Sequence, residues 1–128
     1  MSSMCPYSSV PYHVRLPCKA QHRLTRSLLS IVAVPGIAVH PMRTWVHRKT
    51  KVNWLMDETM LPAAVPRARI AVFGYKSYWF GDDAVKQSLH GVAGQLLCAL
   101  DDKRKDCRHR PIIFIGHCFG GLVVQCVS

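Results

Sequence analysis

From residue 28 onwards the apolar positions fall into two kinds of run. Three are short, continuous and rich in β-branched residues, and each closes on a turn residue: "SIVAVPG" at 30–36, "ARIAVFGY" at 68–75 and "PIIFIG" at 111–116. Short apolar runs bounded by Gly or Pro read as strands buried on both faces. The other kind has a longer period. Val85, Leu89, Val92, Leu96 and Leu100, with Ala93 and Leu97, recur at three- and four-residue spacing, which predicts an amphipathic helix. Asp82 and Asp83 stand where acids stabilise its N-terminus, and the charged run "DDKRKDCRHR" at 101–110 reads as the surface turn that ends it. "NWLMDETML" at 53–61 predicts a short helix, with Asn53 as N-cap and Pro62 as its stop. A last helix is expected from about Phe119. Strand and helix thus alternate, which implies an α/β fold: a three-stranded parallel sheet of 31–34, 69–73 and 111–115, right-handed crossovers and helices on both faces.

Residues 1–28 have neither period. They hold prolines at 6, 11 and 17, several serines and basic residues but no acid, so a basic, disordered tail is expected ahead of a single domain at 29–128. A mitochondrial-type presequence is the alternative, although the prolines oppose the amphipathic helix it would need. The charge follows the same division. Of the net +10, residues 1–56 carry eight Lys or Arg and no acid, and the remainder carries nine basic against seven acidic residues. Such a field can draw nucleic acid or anionic lipid. No basic helix or aromatic-interleaved array accompanies it, so a solvated leader is the simpler reading and no nucleic-acid partner is expected.

The longest apolar run, Leu28–Val39, is broken by Ser30, Pro35 and Gly36. It falls short of the roughly 18 continuous residues of a membrane span, so no transmembrane segment is expected. It also begins too far into the chain for a secretory signal, which points to an intracellular, cytoplasmic chain, with the mitochondrion as alternative. The six cysteines (5, 18, 98, 107, 118 and 126) are then expected as free thiols. There is no C-x-x-C, and Cys98, Cys107 and His109 lack zinc-site spacing, so neither metal nor cofactor is expected.

The chemistry concentrates in "RPIIFIGHCFGGLVVQ" at 110–125. In a G-x-nucleophile-x-G turn the apex residue sits in a strained conformation between strand and helix, and side chains two positions either side would collide. Gly116, Cys118 and Gly120 fit, and Gly121 adds room for the helix. The apex side chain is lifted to the positive end of the next helix, where a thiolate is favoured. The competing reading is an inert small residue on an ordinary turn. Acyl transfer also needs backbone N–H donors, one after the nucleophile and one from a loop after an earlier strand. "VPGIAVHP" at 34–41 is such a loop, and Gly36 lets its backbone approach closely. Ile37 N–H and Phe119 N–H would then form the oxyanion hole. A Pro-Gly turn without chemical purpose is the alternative.

"IVAVPGIAVHPMRTWVHRK", "NWLMDETMLP", "ARIAVFGYKSYWFGD" and "RPIIFIGHCFGGLVVQ" together resemble the lipase-like α/β-hydrolase domain related to the serine-active-site-containing proteins. In fungi that domain often precedes a nucleotide-binding module and ankyrin or other repeats in receptor-like proteins. The resemblance covers about residues 29–127. It implies the sheet order 69–73, 31–34, 111–115, places Cys118 at the nucleophile position, and assigns the oxyanion donors to Ile37 and Phe119. Two departures stand out. The family has serine where this chain has Cys118, although the dienelactone-hydrolase-like branch of the fold uses cysteine. In the family the acid and the histidine also follow the nucleophile, whereas Phe119–Ser128 contains no Asp, Glu or His.

The resemblance therefore implies the N-terminal portion of a hydrolase domain for carboxylic esters or acyl groups, without turnover as residues 1–128 alone. Earlier residues on the same rim offer His40 as a substitute base, with Asp82 and Asp83 as acids; a loop histidine and helix-capping aspartates are the simpler reading. His117 reads as a packing or hydrogen-bonding residue rather than a base, and Trp45, Trp54, Tyr78 and Trp79 as core or rim aromatics. Strand 111–115 would leave an open, uncharged edge suited to self-association or a protein partner. Two other functions stay open: a non-catalytic hydrolase-like signalling or interaction module, and a basic protein binding nucleic acid or a membrane surface.

Overall fold

The computed structural model describes residues 12–13, 28–37, 40–75, 89–105 and 107–128. Several residues singled out above (Cys5, Cys18, Tyr78, Trp79, Asp82, Asp83 and Val85) lie outside them. The central strand is β2, Leu29–Val34, with β3, Ala68–Phe73, on one side and β4, Ile112–Gly116, on the other. Both neighbours run parallel to β2, giving the predicted order of these three strands. The register sets Ile31 beside Ile70 and Ile113, and Ala33 beside Val72 and Ile115. A fourth, two-residue strand that the sequence pattern did not announce, β1 at Tyr12–His13, pairs antiparallel with Phe73 and Val72 on the outer edge of β3.

Alternation along β2 explains why it is central. Val32 and Val34 face one layer, with Phe73, Tyr75, Val92, Leu96, Leu100 and Val123. Ile31 and Ala33 face the other, with Ile70, Val72, Trp45 and Leu55. A strand buried on both faces carries no polar alternation, which is why "SIVAVPG" is almost wholly apolar. At about 1.5–3 kcal/mol for each fully buried Val, Ile, Leu or Phe, these two layers supply most of the favourable folding free energy.

The first layer is roofed by helices. These are α2, described over Leu89–Lys103, and α3, Phe119–Val127. Val92, Ala93, Leu96 and Leu100 of α2 are buried as the spacing predicts, but Leu97 is 50% exposed and lies outside the stripe. The helix also runs further than predicted, taking in Asp101, Asp102 and Lys103 as its last turn. Arg104 then ties down the link to β4, its Nη2 donating to the carbonyls of Cys107, Arg108 and Arg110.

The second layer is covered differently. Instead of a full helix it has the irregular segment 40–65, which contains a 3-10 turn at Arg43–Trp45 and one short helix, α1, at Leu61–Ala64. The helix predicted over 53–61 does not form. Asn53 Oδ1 accepts Leu55 N–H at 3.1 Å and the Asn53 carbonyl accepts Met56 and Asp57, so one turn starts as the N-cap suggested. Asp57 Oδ1 then takes both Thr59 N–H and Thr59 Oγ1–H, at 2.9 and 2.6 Å. That local side-chain turn competes with helical pairing and breaks the run. Pro62 accordingly sits in the first turn of α1, where its missing N–H is no loss, rather than ending a helix.

β4 departs from the fully buried strand expected of it. None of its residues is buried, and Ile113 is 50% exposed, because the sheet ends there among the described residues. No helix among those residues is long and apolar enough to cross a membrane.

Candidate functional site

β4 stops at Gly116, α3 begins at Phe119, and His117 and Cys118 make the turn between them. Its two sides are held by backbone. His117 N–H donates to the Val34 carbonyl at 3.0 Å, extending the β2–β4 pairing by one residue. Gly120 N–H and Gly121 N–H donate to the carbonyls of His117 and Cys118, each at 2.9 Å, starting the helix. Between these anchors Cys118 takes φ 55° and ψ −123°, a combination normally left to glycine. The thiol-bearing side chain is exposed at the carboxyl end of the sheet, at the N-cap of α3.

The glycines explain how so sharp a turn fits. A Cβ on Gly116 would lie 2.6 Å from Gly121 Cα, and one on Gly120 would run into the carbonyl oxygens of Val34 and Pro35. Gly121 differs from the expectation of a packing glycine, since a Cβ there would meet open space; its backbone, not its missing side chain, crowds Gly116. Gly36 ties the loop after β2 to the apex. A Cβ on it would stand 3.0 Å from Cys118 Cβ and 3.2 Å from His117 Nδ1. The backbone leading into Ile37 is therefore packed against the thiol-bearing residue. Neither Ile37 N–H nor Phe119 N–H is used in a hydrogen bond among the described residues.

Tyr75, which the sequence reading did not single out, lies beneath this junction. It is 8% exposed, and its hydroxyl donates to the Pro35 carbonyl at 2.9 Å. The ring stacks on Phe73 at 5.8 Å between centroids and meets Phe119 at 6.4 Å. Burial, and secondarily negative charge on nearby Cys118, push the Tyr75 phenol well above its ordinary range. The available sequence signal was a tyrosine placed directly after the Gly that closes a buried strand. Buried tyrosines need a partner for the hydroxyl, so that position called for one.

The candidate bases are placed less productively. His40 is exposed, its Nδ1 accepts Met42 N–H at 3.2 Å, and it makes no hydrogen bond to Cys118. The His117 ring lies edge-on to Trp45, 6.4 Å between centroids. Trp45 is buried and Trp54, 5.8 Å from it, lies at the rim. No group of three or more His, Cys, Asp or Glu side chains placed to hold a metal ion occurs among the described residues. The cysteines among the described residues divide: Cys107, Cys118 and Cys126 are free as expected, whereas Cys98 is disulfide-bonded, against that expectation.

No family model, no curated protein and no solved structure matches this chain.

Proposed function

We propose that residues 29–128 form an α/β-hydrolase-like unit, resembling the lipase-like domain, in which Cys118 is the nucleophile for acyl transfer from carboxylic esters. The observation that carries this reading is the backbone of Cys118, held at φ 55° with Gly36 packed against its Cβ. An inert cysteine has no need of that conformation, which is disfavoured for any residue with a side chain. In the step proposed, the Cys118 thiol gives its proton to solvent and the sulfur attacks the ester carbonyl carbon. The carbonyl oxygen takes up negative charge facing the N–H groups of Phe119 and Ile37. Collapse breaks the C–O bond, the departing alkoxide takes a proton from water, and a thioester remains on Cys118. With neither His40 nor His117 hydrogen-bonded to the thiol, hydrolysis of that thioester is slow and acyl-protein accumulates.

The test is labelling with p-nitrophenyl acetate, followed by peptide mass mapping. One acetyl group is expected on Cys118, with release of one equivalent of nitrophenol, while Cys107 and Cys126 stay unlabelled at matched times. Cys118→Ala abolishes the burst. Equal labelling of Cys107, Cys118 and Cys126 would overturn the reading.

A second reading, an interaction module, is favoured by one separate observation. The Pro111 carbonyl accepts Ser30 N–H and His117 N–H donates to Val34, so the odd-numbered positions of β4 face β2. Ile112, Phe114 and Gly116 turn their N–H and C=O groups outwards along an uncharged edge, a template for another strand. On this reading the chain self-associates or pairs with a partner strand there. Sedimentation would show a concentration-dependent dimer that Ile113→Lys weakens about tenfold or more; a monomer at all concentrations would count against self-pairing.

A further inference from the structure

The oxyanion donors assigned to Ile37 and Phe119 belong to different segments, and their spacing has to be fixed by something other than the chain joining them. Pro35 shows where. It is fully buried, has no N–H to give, and its carbonyl points into the junction of β2, β3 and α3. A buried carbonyl needs a donor, and a Cβ on Gly120 would come within 2.7 Å of this one, so α3 closes over it and leaves no room for water on that side. The donor is the Tyr75 hydroxyl, reaching across from a residue 40 positions away in sequence. The same ring stacks on Phe73 and touches Phe119, which fixes its plane.

We propose that Tyr75 is a positioning residue for the oxyanion hole: its hydroxyl pins the Pro35 carbonyl, and so the Gly36–Ile37 backbone, while its ring supports Phe119. This deepens the acyl-transfer reading of Cys118 and rests on it. Tyr75 touches no substrate. It acts by holding the residue before Gly36 and the residue bearing the second donor at a fixed separation. Displacing a well-placed donor by about 1 Å lowers a rate by up to about 100-fold, so the hydroxyl matters out of proportion to its one hydrogen bond.

Two reactions of the same sulfur separate positioning from mere structural support. Acetylation by p-nitrophenyl acetate builds an oxyanion, whereas alkylation by iodoacetamide displaces iodide at a saturated carbon and builds none. In Tyr75→Phe, acetylation of Cys118 is expected to fall about 10- to 100-fold while alkylation stays within about twofold. Tyr75→para-aminophenylalanine restores an N–H donor on the same ring and is expected to bring acetylation back. Acetylation unchanged in Tyr75→Phe, both rates falling together, or no rescue by the amino ring would each overturn the proposal. Failure of the underlying reading looks different: the unaltered chain would then acetylate Cys118 no faster than Cys107, and the proposal falls with it. Selective acetylation in the unaltered chain that survives Tyr75→Phe overturns the proposal alone.

Discussion

Replacing Cys118 by glycine should make this protein more stable than replacing it by alanine, reversing the usual order of those two residues. At an ordinary position Gly is less stable than Ala by about 0.5–1 kcal/mol, because its unfolded chain has more freedom to lose. At φ 55° and ψ −123° the balance differs. A Cβ in so sparsely populated a region raises the folded-state energy by about 1–3 kcal/mol, and alanine keeps that strain while glycine removes it. Packing changes little, since the Cys118 side chain is exposed. A Cβ built on Gly36 would stand 3.0 Å from Cys118 Cβ, so that atom lies beside the Gly36 backbone, and losing it from an exposed side chain opens no enclosed cavity.

Setting the strain against the entropy leaves Cys118→Gly ahead of Cys118→Ala by about 0.5–2 kcal/mol. With a urea dependence of about 1–3 kcal/mol per molar, the unfolding midpoint of the glycine variant should lie higher by several tenths of a molar, at equal slope. Alanine equal to or above glycine would mean that the apex is not strained, and the argument for a nucleophile at this position would lose its main support. The comparison needs no substrate, so it tests the geometry independently of the chemistry.

Two other outcomes follow from the same junction. Gly120→Ala drives a methyl into the carbonyl oxygens of Val34 and Pro35, backbone atoms that cannot swing aside; a loss of about 3 kcal/mol or more in urea unfolding is expected, whereas Gly121→Ala, facing open space, should be within about 0.5 kcal/mol of the parent. Tyr75 has its folded-state pKa raised by burial first and by Cys118 second, so its contribution is intact below the unfolded phenol's value near 10 and is lost as pH rises from there through the folded value. Unfolding measured from pH 9 to about 12 should therefore steepen above pH ~10, and Tyr75→Phe should flatten that dependence; an identical pH profile in the variant would refute the assignment.

Legibility in the sequence followed the physics of each element. The three parallel strands could be read because strands buried on both faces advertise themselves as continuous apolar runs, and Gly116, Cys118 and Gly120 could be read because sterics leave few residues able to make that turn. The order of the strands came from the family resemblance rather than from the pattern. The 53–61 helix does not form although its apolar spacing is real, because the Asp57–Thr59 side-chain turn competes locally with helix formation. Leu97 looked like part of a stripe whose width only the packed helix defines. The half-exposed β4 was hidden for a related reason: an edge strand and a central one can share a composition when nothing polar marks the edge. Tyr75 was missed because its importance lies in a hydrogen bond spanning 40 residues, which no local window contains.

A strained residue persists only where its surroundings leave it no alternative, and the contacts around Cys118 come from every layer of the fold. On the strand side, His117 N–H is fixed to Val34. On the helix side, Gly120 and Gly121 N–H are fixed to the two carbonyls of the turn. Beneath it, α3 can approach β2 only because Gly120 lacks a side chain, and the Pro35 carbonyl it covers is satisfied from β3's end by Tyr75. Relaxing Cys118 to an ordinary conformation would therefore break a strand pairing, the first turn of α3 or the burial of Pro35. Each of those losses is comparable to the strain itself, at about 1–3 kcal/mol. The same reasoning locates the weak point. The apex depends on β2, β3 and α3 together, whereas β4 leads into it with an outer edge unpaired among the described residues. Whatever strand covers that edge should stiffen the turn at 117–118. Protection of the His117 amide from hydrogen exchange should accordingly rise with protein concentration if the covering strand is a second copy, and a protection that stays flat while dimer accumulates would separate the edge from the turn at 117–118.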